Sequence, residues 1–135
     1  MPILKLTLSG APDAARSARV AATLAGLTAE ILHKDPALTS VAIAHVDPAH
    51  WIVGGQTLAA QGKASFFLDI LITDETNTAS EKAAFLAAVF RELGAEMGNL
   101  HETSYVHVHD ARAAAWGYGG LTQQYRAVRK TLEAA

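Results

Sequence analysis

The chain repeats itself, and this constrains its fold more than any other feature. Val41, Ile43, Trp51, Gly54, Gly55 and Thr57 return 65 positions later as Val106, Val108, Trp116, Gly119, Gly120 and Thr122. Val20, Leu24, Leu27 and Ile31 return 66 positions later as Leu86, Phe90, Leu93 and Met97. Apolar stripes alone could coincide, but a Trp-x-x-Gly-Gly at the same offset marks an internal duplication. The one-residue difference fits an insertion in the second strand–helix loop and a deletion after its helix. The chain therefore reads as one domain, residues 1–135, built from two repeats at about 2–60 and 66–122, with a polar tail at 123–135 that could hold a short helix.

Each repeat carries a strand, a helix, a strand and a hairpin. In Ile3 to Leu8, Leu4, Leu6 and Leu8 alternate with Lys5 and Thr7, the pattern of a half-buried strand. Pro12 and Asp13 suit the first turn of a helix, and Val20, Leu24, Leu27 and Ile31 form its stripe to about His33, before Pro36. Val41, Ile43 and His45 form one side of the next strand, and the Trp51 segment closes on its glycines. The second repeat runs through Phe66–Ile72, the capping box Thr78-Ala79-Ser80-Glu81, the strand Tyr105–His109 and the Trp116 hairpin. A right-handed crossover makes the two strands of each unit parallel. The expected fold is α+β in two layers: a four-stranded sheet with two helices on one face.

The other sheet face then carries Lys5, Thr7, Ala42, Ala44, Phe67, Asp69, Leu71, Tyr105, His107 and His109. A half-apolar face on a small chain calls for a second subunit. Asp69, inside an apolar strand, needs a partner, and Lys5 is a candidate. His107 and His109 share one strand face, which suits a subunit interface, substrate contact or a metal, although no third ligand is evident. His45 and His50 flank the turn at Asp47-Pro48, and Arg126, Arg129 and Lys130 read as a solvated face.

Composition removes several classes. Half of the 135 residues are hydrophobic, net charge is −2 and there is no cysteine, so thiolate catalysis and Cys-based zinc sites are out. There is no basic stripe for nucleic acid. No apolar run is long enough for a membrane span, and the opening MPILKLTLSG lacks a basic region followed by a long apolar run. These features give the expectation of a soluble cytoplasmic protein.

Pro2 after Met1, the β-α-β unit of about 60 residues, Pro36-Ala37-Leu38-Thr39-Ser40-Val41 and His50-Trp51-Ile52-Val53-Gly54-Gly55 together resemble 4-oxalocrotonate tautomerase. The whole chain is similar to the fused, double-length members of the tautomerase superfamily. The resemblance implies a tautomerase/MIF-like fold, a homotrimer and cofactor-free isomerisation of a small 2-oxo or enol acid. Its engine would be the amine of Pro2, freed by removal of Met1. It also implies that Trp51 lines the pocket. The family's two substrate-holding arginines are missing: their slots fall around Ala11-Pro12 and on Ala42 or Ala44. In the second half Ala42 and Ala44 correspond to His107 and His109, which can donate to a substrate oxygen. Tyr105 and Arg112 are further candidates for substrate contact, and Trp116 is a weaker candidate for the pocket wall. Phe67 is matched to Pro2, leaving one catalytic unit per chain. A hydratase, dehalogenase, decarboxylase, ligand-binding module or non-catalytic trimer are the alternatives.

Overall fold

The computed structural model describes residues 2–135, so the expected removal of Met1 lies outside the described residues. The chain runs β1 (Ile3–Ser9), α1 (Ala14–Leu32), β2 (Ser40–Val46), β3 (Ile52–Val53), β4 (Gln56–Thr57), α2 (Leu58–Gln61), β5 (Phe66–Thr73), α3 (Ala79–Met97), β6 (Tyr105–Ala111), β7 (Gly117–Tyr118), β8 (Leu121–Thr122) and α4 (Gln123–Ala134). The main sheet has the order β2-β1-β5-β6. β1 is parallel to β2, β5 is parallel to β6, and the two halves meet antiparallel at β1 and β5. Both long helices lie on one face, as the two-layer α+β reading requires. Among the described residues no helix is long and apolar enough to cross a membrane.

Alternation builds the core. Leu4, Leu6 and Leu8 of β1 and Phe66, Leu68, Ile70 and Ile72 of β5 are each at most 1% exposed. They pack against Val20, Leu24 and Leu32 of α1 and Phe85, Val89 and Leu93 of α3. Each such side chain contributes about 1.5–3 kcal/mol through burial. Asp13 is the N-cap of α1 rather than a first-turn residue, accepting from the Arg16 N–H at 3.1 Å. The Thr78–Glu81 capping box starts α3. Arg19 ties the two helices together through Glu96 Oε1 at 2.7 Å.

The helix registration differs from the sequence expectation. α1 and α3 both have 19 residues and start 65 positions apart, at Ala14 and Ala79. The buried faces follow this offset: Val20 matches Phe85, Leu24 matches Val89 and Thr28 matches Leu93. The 66-residue match instead set the buried Val20 and Leu24 against Leu86 and Phe90, which are each 38% exposed. Leu4 pairs with Val41 and Leu68 with Val106, so the first strands correspond at 64 positions. The insertion in the strand–helix loop is present, and no deletion after the helix is needed. The second-half counterpart of Pro2 is therefore Phe66, not Phe67.

The face away from the helices carries the residues expected there. Asp69 pairs in register with Lys5 on one side and His107 on the other. Its near contact is His107 rather than Lys5: Oδ1 lies 3.2 Å from Nδ1. The approach is not aligned as a hydrogen bond, and Oδ1 has no hydrogen-bond partner among the described residues. His107 and His109 stand edge to face, with ring centroids 5.7 Å apart. Tyr105 is 65% exposed and Phe67 44% exposed on the same face.

Candidate active site

The antiparallel meeting of the halves determines what surrounds Pro2. β6 runs parallel to β5, so its C-terminal end arrives at the same end of the sheet as the start of β1. The β7–β8 hairpin that follows β6 is thus delivered to Pro2. Gly119 and Gly120 turn it at φ +62 and +80, left-handed values that a side chain resists. At Gly117 a Cβ would overlap the Leu121 carbonyl, so glycine is needed for the two hairpin arms to close.

The result is a cavity of about 470 Å³ at the end of the sheet, lined by Pro2, Leu38, Thr39, Trp116, Tyr118 and Gln123 among others. This size suits a small organic ligand. Pro2 itself is buried, and its carbonyl accepts from the Ser40 N–H at 3.2 Å, tying β1 to the chain segment that forms the opposite wall. The Trp116 indole N–H donates to Thr73 Oγ1 at 3.2 Å. The Arg126 guanidinium stacks on Tyr118 at 3.8 Å from the ring centroid and donates to its carbonyl at 3.1 Å. These contacts hold both aromatic residues on the wall. Lys34 follows α1 and donates to Thr76 Oγ1 at 2.8 Å, and burial pushes its amine below the ordinary lysine range.

The other candidates lie elsewhere in the chain. Trp51 follows β2, whose end lies at the opposite edge of the sheet, by the start of β5; its carbonyl accepts from the Leu58 N–H at 2.8 Å. Tyr105, His107 and His109 project from the open sheet face and do not line the Pro2 cavity. His109 shares a row with Leu71 and Ile3, two strands from β1. Arg112 stands exposed just past β6, at the same end of the sheet as Pro2 but outside the cavity wall. Leu38, Tyr118 and Gln123 were not singled out from sequence. The antiparallel crossing of the repeats would have pointed to them, because it hands each half's hairpin to the other half's first strand. Among the described residues no group of three or more His, Asp or Glu side chains is placed to hold a metal ion.

No family model matches the chain, and no curated protein sequence matches it. Solved structures do. A fused 4-OT determined as a wild-type symmetric trimer superposes with a TM-score of 0.78 at 18% identity, over 90% of this chain and 96% of its own. Pt0534 inactivated by 2-oxo-3-pentynoate gives 0.79 at 14% identity, over 92% and 98%. The macrophage migration inhibitory factor-like protein of Entamoeba histolytica gives 0.74 at 16% identity, over 90% and 97%. At these identities the likeness is one of fold, and it spans both repeats. This chain has the fold of the fused 4-OT proteins, a tautomerase/MIF-like α+β architecture.

Proposed function

We propose that this chain is a tautomerase-superfamily enzyme that interconverts the keto and enol forms of a small 2-oxo acid, without a cofactor, in a cytoplasmic homotrimer. The observation that carries the reading is the burial of Pro2 in the wall of a cavity flanked by Trp116 and Tyr118. Removal of Met1 would make Pro2 a secondary amine. Its apolar surroundings disfavour the ammonium form and draw the amine toward neutrality, where a proton-transfer group is most effective. In the ketonising direction the protonated amine gives a proton to the carbon beside the enol. The enol O–H proton passes to water, and the amine then takes one proton back, so nothing is consumed.

Two comparisons support this. A fused 4-OT of the same fold is a trimer, which is what the open face with Phe67 and Tyr105 calls for. In that assembly Tyr105, His107 and His109 would lie against neighbouring copies. Another protein of this fold is inactivated by a 2-oxo acid. A second reading, a trimer that has lost activity, is favoured by Ala42 and Ala44, where the resemblance leads one to expect an arginine. Ketonisation of phenylenolpyruvate by wild type and Pro2→Ala decides between them. The enzyme reading expects the variant to lose about 100-fold or more in kcat/KM. Equal rates for the two proteins overturn catalysis through Pro2, and if neither protein is active the non-catalytic reading stands.

A further inference from the structure

The repeat supplies an internal control for the Pro2 cavity. Gln123 and Leu58 are counterparts, 65 positions apart, and share one backbone arrangement. The Gln123 N–H donates to Trp116 O at 2.9 Å, and the Leu58 N–H donates to Trp51 O at 2.8 Å. Each opens a helix capped by a threonine, Thr122 or Thr57. Their side chains do opposite things. Leu58 is fully buried and belongs to the core. At that end of the sheet the Pro2 position is taken by Phe66, also fully buried. Gln123 lines the cavity beside Pro2. Its side-chain nitrogen is shielded from solvent, yet has no hydrogen-bond partner among the described residues.

A shielded donor without an acceptor costs stability, and the fold accommodates leucine at the matching site. We infer that the Gln123 amide, turned from its shielded position toward the cavity when ligand enters, donates a hydrogen bond to an oxygen of the substrate, the role for which the missing arginines leave no residue in the first repeat. The inference deepens the 2-oxo acid reading of the cavity and rests on it. The carboxylate or 2-oxo oxygen of the ligand supplies the acceptor that the protein does not.

The test uses Gln123→Leu, which copies Leu58, and Gln123→Glu, which keeps the size and adds a negative charge. Each is measured for phenylenolpyruvate ketonisation, for phenylpyruvate binding by calorimetry, and for Tm. The expected result for Gln123→Leu is a loss of about 10- to 100-fold in kcat/KM and in affinity, the value of a hydrogen bond to a charged group, with Tm unchanged or raised. Gln123→Glu loses at least as much, through repulsion of the acid. Unchanged kinetics and binding in the leucine variant overturn the inference, as do losses that track a fall in Tm in both variants. If the wild type binds phenylpyruvate without ketonising its enol, and Gln123→Leu weakens that binding, the role of Pro2 fails while that of Gln123 stands. A wild type that does neither overturns both.

Discussion

Trp51 and Trp116 occupy matching positions in the two repeats, and only Trp116 stands on the wall beside Pro2. Replacing Trp116 with Phe keeps a flat ring there and deletes one bond, the indole N–H to Thr73 Oγ1 at 3.2 Å. A neutral hydrogen bond of this kind contributes about 0.5–1.5 kcal/mol net. If it serves to fix the ring against the substrate, the loss appears as a fall of roughly 2- to 13-fold in kcat/KM. Thr73→Val removes the same bond from the other side and strands a half-buried donor, a penalty of about 1–3 kcal/mol. The double variant should then be better than the sum of the singles, with a coupling near 1 kcal/mol. Trp51→Phe, at the far end of the sheet, should stay within about twofold of wild type, since distant sites act independently. The assay is phenylenolpyruvate ketonisation for the four variants and the wild type. An equal or larger loss in Trp51→Phe, or strict additivity of Trp116→Phe with Thr73→Val, would refute the placement of the site.

Two further outcomes follow from the scaffold. Gly26 sits exposed inside α1, and a Cβ there would meet nothing within 4 Å; Gly26→Ala should stabilise by about 0.5–1 kcal/mol and raise Tm by roughly 2–5 °C, whereas a lowered Tm would show that α1 is not formed as described. Glu81 is held below its ordinary value of 4.5, chiefly by the Thr78 backbone N–H and then by Asn77. Glu96 is held below the same value, chiefly by its hydrogen bond from Arg19. Both carboxyls bind a proton less readily folded than unfolded, so their contribution is complete above about pH 4.5 and disappears as pH falls through the lower folded values. Tm measured from pH 6 down to pH 3 should therefore drop less steeply in Glu81→Gln than in wild type, and parallel curves would contradict the capping-box account.

Much of the scaffold is legible because strand alternation is strict. Leu4, Leu6 and Leu8 point to the core, and Lys5 and Thr7 do not, because a strand leaves its residues only two sides. Helices are less decisive. The apolar residues of α1 and α3 cover more of each helix than packing buries, so Leu27, Ile31, Leu86 and Phe90 look equivalent to core residues and are not. Thr28 sits fully buried because its hydroxyl donates to Leu24 O at 2.7 Å, a local solution that the stripe of leucines conceals. Partners across the sheet are least legible. Whether Asp69 faces Lys5 or His107, and whether Trp51 or Trp116 reaches Pro2, depends on the antiparallel contact of β1 with β5. That contact pairs residues as far apart in the chain as Ile3 and Leu71, and no local pattern encodes it.

The central claim is that Pro2 carries a free amine sheltered by its cavity. Its most direct test is an NMR titration of protein labelled with ¹⁵N-proline, after intact mass has established that Met1 is absent. Of the 4 prolines in the chain, only Pro2 could then titrate. The account predicts one nitrogen resonance that changes with pH near neutrality, well below the range of a solvent-exposed proline amine. A mass that retains methionine, or an amine that titrates as an exposed one does, would contradict it.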